Sequence, residues 1–207
     1  MILTKHFVYI HIPKTGGTFV RKIMREHAPE SWEMTEQDHT LVENTPETHA
    51  ELPKFGCVRN PFPWYVSWYV YHKQHPFKFF NEVSDNNTLG FKESLINAMN
   101  HEQVRNAGDR LGFFTMVMQN FLGPEARHAD VIRCENLRAE LFEWLSKHVE
   151  VPESMAAAIQ AEPKVNISVR DHYSKFYDDE LVELILDRDR HIFQRTGYQF
   201  EAEVPSK

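Results

Sequence analysis

Between Phe7 and Met24 the sequence passes without a break from an apolar run, through a lysine- and glycine-bearing turn, to a helically spaced apolar face. Phe7, Val8, Ile10 and Ile12 read as a buried strand. The run stops at Pro13, turns through Lys14, Thr15, Gly16 and Gly17, and resumes at Thr18 with Phe19, Val20, Ile23 and Met24 at helical spacing. A strand feeding such a turn at a helix N-terminus gathers backbone N–H groups, the positive end of the helix dipole and an ammonium on one point. The pattern predicts a site for a phosphate- or sulfate-like anion. The order is not that of a Walker A loop, which needs glycine, four residues and then Gly-Lys-Ser/Thr. Lys14 precedes the glycines, and no serine or threonine stands where that motif holds Mg²⁺, which disfavours ordinary ATP chemistry. Taken alone, the turn also reads as a βα connection that uses Gly-Gly only for tightness.

A second constellation narrows the choice. Lys54 to Val58 reads as another short strand and ends in Arg59-Asn60-Pro61. A helix follows over 61–75, with Pro61 suited to its first position and Ser67 two turns in. Arginine at a strand end offers a planar fork that fits a phosphate. Taken singly, Arg59 reads by default as a surface ion pair and Ser67 as an ordinary helix serine; the pairing favours a second anion clamp.

With both segments in view, the chain resembles a family. His11-Ile12-Pro13-Lys14-Thr15-Gly16-Gly17-Thr18 is similar to the 5′-phosphosulfate loop of sulfotransferases that use 3′-phosphoadenosine 5′-phosphosulfate (PAPS). The wording is closest to carbohydrate O-sulfotransferases and their small bacterial relatives. Val58-Arg59-Asn60-Pro61 through Ser67-Trp68-Tyr69 resembles the 3′-phosphate motif of that family, with the Arg-to-Ser spacing intact. Val131 to Leu137 and the ending Gly197-Tyr198-Gln199-Phe200 resemble later parts of the same fold. The resemblance implies PAPS as donor, a carbohydrate or small-molecule acceptor, a P-loop-like α/β fold and no metal. Lys14 would serve the bridging oxygen of the donor, Thr15, Gly16, Gly17 and Thr18 its equatorial oxygens, and Arg59 and Ser67 its 3′-phosphate. A late loop, Lys164 to Arg170, stands where relatives close over the nucleotide, which would bring Ser168 and Arg170 to the 3′-phosphate or the adenine. An Asn/Ser turn leading to Tyr173 is the other reading of that loop.

The bulk properties are compatible with this. A chain of 207 residues, 42% hydrophobic and 13% aromatic, is long enough for one domain with a substantial core, and a single domain over 1–207 is expected. No apolar run approaches the roughly 20 residues of a membrane span, and the first strand begins too early for a signal peptide; a cytoplasmic protein is expected. Cys57 and Cys134 both fall in predicted strands, where free thiols act as small hydrophobes, and neither a disulfide nor metal-ligand spacing is expected. The net charge of −7 disfavours a broad nucleic-acid surface.

Strands are predicted near 6–12, 54–58 and 130–134, with a weaker one at 32–36. Helices are predicted near 18–27, 61–75, 90–100, 110–121, 135–148 and 178–195, with a short one within 151–163 and an exposed loop at 81–88. Such alternation favours a mostly parallel central sheet flanked by helices, and ligands then bind at the carboxyl ends of the strands, where Lys14 and Arg59 lie.

Sulfuryl transfer to a hydroxyl needs a base. The resemblance implies a histidine after the second strand, and His39, within Asp38-His39-Thr40, fits; a neutral imidazole suits proton abstraction. With 12 histidines in the chain, His11, His49 and His72 remain rivals, as do Glu26 and Glu36 among carboxylates. His11 reads as packing at the strand end. Trp64, Trp68 and Tyr71 share a helical stripe, which reads as core first and as an acceptor platform second. A small-metabolite kinase and a nucleotide-binding protein without catalysis are the alternative classes.

Overall fold

The structure, a computed structural model, describes residues 1–37, 39–124, 128–163 and 171–202. Its strands are β1 (Ile2–Leu3), β2 (Val8–Ile10), β3 (Thr35–Glu36), β4 (Lys54–Val58) and β5 (Asp130–Arg133). Its helices are α1 (Gly17–His27), α2 (Pro61–Gln74), α3 (Lys78–Val83), α4 (Phe91–Asn100), α5 (Glu102–Ala107), α6 (Phe113–Leu122), α7 (Leu137–His148), α8 (Glu153–Ala161), α9 (Asp179–Arg188) and α10 (Arg190–Thr196). The chain forms two compact units, one from residues 1–59 and 118–168, the other from 60–117 and 169–207.

The first unit holds the sheet, in the order β3-β1-β2-β4-β5. β2, β4 and β5 are parallel neighbours, joined by the helix-bearing crossovers that parallel strands require. β1 is antiparallel to both β2 and β3. The sheet is therefore mixed, and the mostly parallel sheet expected from the alternation is corrected. The reason is local: the chain reverses within Thr4–Phe7, where the Thr4 hydroxyl donates to the Phe7 carbonyl (2.8 Å) and accepts from the Phe7 amide (2.9 Å). That tight turn lays β1 beside β2 with no crossover, and β3 adds to the free edge of β1.

β2 and β4 are covered on both faces, so they read as continuous apolar runs: Phe7, Val8, Tyr9, Ile10, Phe55 and Cys57 have no solvent exposure. On one face Phe7, Tyr9, Phe55 and Cys57 share a core with Val20 and Ile23 of α1, Leu141 and Leu145 of α7, and Met155 and Ile159 of α8. Trp144 closes that core, its ring 4.3 Å from Phe55 and its indole N–H donating to Asp130 at 2.8 Å. On β4, Leu122 fills the place where Gly56 lacks a Cβ, 2.6 Å from that position.

The second unit is helical in its described residues. α2 starts as its sequence requires: the Asn60 side chain accepts from the Phe62 amide (3.2 Å) with Pro61 in the first position. The same side chain donates to the Gln199 carbonyl at 2.8 Å, tying the C-terminal segment down. Trp64 and Trp68 are buried, as core aromatics, whereas Tyr71 is 43% exposed. Two expectations change here. The polar stretch 81–88 is partly helix, since α3 runs to Val83 before three left-handed residues, Asp85, Asn86 and Asn87. The single helix expected over 178–195 breaks at Asp189, which is wholly buried. Its carboxylate accepts from the Tyr65 hydroxyl (2.6 Å), the Thr115 hydroxyl (2.6 Å) and the Thr115 amide (2.9 Å). No helix among the described residues is long and apolar enough to cross a membrane.

Candidate active site

The turn between β2 and α1 is shaped by two left-handed residues, Lys14 (φ 66°) and Gly16 (φ 88°). Such a conformation is uncommon for lysine and tends to persist where the surroundings impose it. Between them Thr15 is buried, its hydroxyl donating to the Ile12 carbonyl at 2.8 Å. Thr15 therefore shapes the loop with its side chain and leaves its backbone for any ligand, while Thr18 is exposed. Gly16 occupies the N-cap position, and among the described residues no side chain caps the first amides of α1. Both glycines are required. A Cβ on Gly16 would lie 2.9 Å from the Leu137 side chain and 3.1 Å from the Cys134 sulfur, and one on Gly17 would overlap the His11 ring at 1.9 Å. Leu137 and Cys134 thus wall the loop from the segment after β5, which the sequence did not reveal. Cys134 itself lies just beyond β5, in a 3-10 turn over Cys134–Asn136, and not in the strand as expected; both cysteines are free thiols.

Next to the loop stand two histidines. The His39 and His11 rings are 4.9 Å apart between centroids, and Tyr9 stacks with His11 at 6.2 Å. Burial, then the neighbouring His39, Arg21 and N-terminal amine, hold His11 down to about 4, against the pull of Glu36 in the other direction. His11 is therefore a neutral imidazole near pH 7. Glu36, one of the carboxylate alternatives, is bound by both Arg21 and Arg25 of α1. Although its burial works to raise it, hydrogen bonds from Arg25 and Arg21 set the Glu36 carboxyl below the ordinary glutamate value. A carboxylate so engaged is a poor base. Glu26 points to solvent from α1. His49 sits in a 3-10 turn with its Nδ1 2.8 Å from the Thr48 hydroxyl.

Arg59 follows β4 directly. Because β2 and β4 are parallel neighbours, the Lys14 loop and Arg59 leave the sheet at the same end, as the Cys134 turn does after β5. Ser67 and His72 lie on α2, in the second unit, each partly buried. Asp38, Ser168 and Arg170 lie outside the described residues.

A family model described as the sulfotransferase family matches residues 2–188. The chain belongs to the sulfotransferase family. No curated protein matches the sequence.

For a sulfotransferase, the features of the first unit have a direct chemical meaning. A sulfuryl group in transit carries anionic oxygens, and this loop sets groups suited to them together: a helix start that no described side chain caps, the dipole behind it, and Lys14 at the strand end. What sequence reading missed is the place of His11 against Gly17. The signal was present. His11 shares the period of two that puts Phe7 and Tyr9 on one face of β2, the face on which α1 packs.

Proposed function

We propose that this sulfotransferase takes PAPS as donor and moves its sulfuryl group to a hydroxyl or amine of a carbohydrate or small-molecule acceptor. The observation that carries the reading is the start of α1, reached through left-handed Lys14 and Gly16 and left without a side-chain cap. Two glycines whose Cβ positions are already filled by Cys134, Leu137 and His11 give backbone access there and nowhere for a side chain to intrude. That fits a phosphosulfate.

In this reading PAPS supplies an activated sulfuryl group on a phosphate leaving group. Lys14 neutralises charge on the bridging oxygen as the S–O bond to phosphate breaks, and the backbone from Thr15 to Thr18 holds the equatorial oxygens. His39 takes the proton of the acceptor as the new bond to sulfur forms, so that the products are the sulfated acceptor and 3′-phosphoadenosine 5′-phosphate (PAP). Arg59 and Ser67 clamp the 3′-phosphate, which separates this nucleotide from ATP; Ser168 and Arg170 serve the 3′-phosphate or the adenine. By analogy with phosphoryl transfer, positioning and charge stabilisation supply the catalysis, and neutralisation by lysine and amides removes the need for a metal.

Calorimetric titration with PAP in excess EDTA, with ATP and AMP as controls, tests this. Metal-independent binding that prefers the 3′-phosphate is expected. Equal binding of ATP, or none of PAP, would overturn the donor assignment and favour a kinase-like reading.

A further inference from the structure

We propose that His11 is a second catalytic histidine of the site, a neutral hydrogen-bond donor that holds the transferring sulfuryl group through Nε2 while His39 handles the proton. The inference rests on the PAPS reading above and assigns one more contact to it. Its basis is position. The Cδ2–Nε2 edge of the His11 ring occupies the space over Gly17, with Nε2 2.0 Å from where a Cβ would stand. Gly17 is the first residue of α1, so this edge lies against the helix start to which the PAPS reading assigns the anion. No hydrogen bond joins either ring nitrogen of His11 to another described residue; its contacts are the rings of Tyr9 and His39. A half-buried imidazole with no hydrogen-bond partner among the described residues, placed at the start of α1, has its donor available for a ligand.

The charge environment fixes which kind of donor it is. His11 faces His39 from the segment after β3, Arg21 from α1, Glu36 from β3 and the N-terminal amine. Three of these four disfavour a proton on His11, and burial disfavours it most. A neutral imidazole still carries one N–H, and a histidine kept neutral beside a helix N-terminus serves as an electrophile in other enzymes. Division of labour follows. If His11 were a cation it would repel the proton that His39 must accept; as a neutral donor it binds sulfuryl oxygen without opposing that step.

The test needs no acceptor, because PAPS and PAP differ by the sulfuryl group alone. Affinities of both nucleotides are measured by calorimetry in EDTA for the wild type, His11→Leu, which keeps bulk over Gly17, and His11→Gln, whose amide places an N–H near Nε2. The expected result is PAP binding within about 2-fold of wild type in both variants. PAPS binding should weaken roughly 10-fold or more in His11→Leu, the loss of one hydrogen bond to a charged group, and recover in His11→Gln. Imidazole ¹⁵N spectra of the wild-type chain give an independent reading should His11→Leu not fold: the Nε2 signal lost in His11→Gln must move with PAPS and stay with PAP. Equal loss of both nucleotides, no loss of either, or an Nε2 signal indifferent to the sulfuryl group would overturn the role of His11 and leave the donor reading intact. A wild-type chain that binds neither nucleotide would overturn both.

Discussion

Gly16 shows how little freedom the anion loop has. Its φ of 88° is open to glycine and strained for any L side chain, and Leu137 and Cys134 stand 2.9 and 3.1 Å from the missing Cβ. Gly16→Ala should cost about 1–3 kcal/mol, read as a fall in denaturation midpoint, and should weaken PAP binding in proportion to the displacement of the loop. A variant as stable and as tight-binding as the wild type would show that the left-handed turn is not needed. Lys14 acts differently. In the proposed mechanism its ammonium serves charge that develops on the leaving oxygen, so Lys14→Ala should reduce sulfuryl transfer about 100-fold or more while folding is unaffected, whereas Arg59→Ala should act mainly on nucleotide affinity. Near-normal turnover in Lys14→Ala would remove it from the leaving-group role. His11 also leaves a signature in stability. Its folded value is about 4 against an ordinary 6.5, so between these the unfolded chain takes up a proton that the folded chain refuses. Stability contributed by neutral His11 is present above pH 6.5 and declines as pH falls toward 4, by up to about 3 kcal/mol. Urea denaturation of wild type and His11→Gln across pH 4–7 isolates it, since the other acid-labile groups are common to both. A stability difference independent of pH would contradict the neutral imidazole.

At the scale of elements, Asp189 organises the second unit. Its buried carboxylate accepts from Tyr65 and from both the hydroxyl and the amide of Thr115, and Tyr65 in turn accepts from the Phe114 amide at 2.9 Å. The Phe114 and Thr115 amides that open α6 are thereby satisfied from α2 and from Asp189, between α9 and α10. Asp189→Ala would strand three buried donors, each worth about 1–3 kcal/mol, and should cost at least about 3 kcal/mol in thermal or chemical unfolding; Asp189→Asn, which still accepts on one oxygen, should cost less. Equal stability of all three proteins would show that water replaces the carboxylate without loss. None of this was legible in the sequence, where Asp189 sits in a helical pattern that continues on both sides, and a carboxylate there reads as a solvated face. The same limit hid β1, whose two residues pair only because Thr4 turns the chain back. By contrast β2, the turn and α1 were legible, because a buried strand, a glycine pair and a helical stripe are each local. So was the start of α2 at Pro61. At the site, Lys14, Gly16 and Gly17 could be read from spacing. The period of two puts His11 on the face that α1 covers, but that it meets Gly17, and that Cys134 walls Gly16, depends on packing across the sheet face.

Across the whole molecule, chain connectivity bears on how nucleotide binding reaches beyond the loop. The core under the loop is assembled from distant segments: Phe7 and Val20 from the first 59 residues, Leu141, Trp144 and Met155 from the return of the chain. The first unit cannot complete that core before α7 and α8 are in place. α6 is shared, Thr115 meeting Asp189 in the second unit and Leu122 filling the space at Gly56 in the first. A continuous helix anchored at each end couples the melting of the two, because fraying one half removes hydrogen bonds on which the other depends. A scanning calorimeter should therefore record one endotherm, with calorimetric and van't Hoff enthalpies in agreement. PAP at 100 times its dissociation constant adds about 2.7 kcal/mol to the folded state. For a chain of this size that moves the whole endotherm up by roughly 5–10 °C, in EDTA as in buffer, while AMP at the same concentration moves it less. Two endotherms, of which PAP shifts only one, would mean that the units melt separately and that α6 does not transmit the stabilisation of the loop.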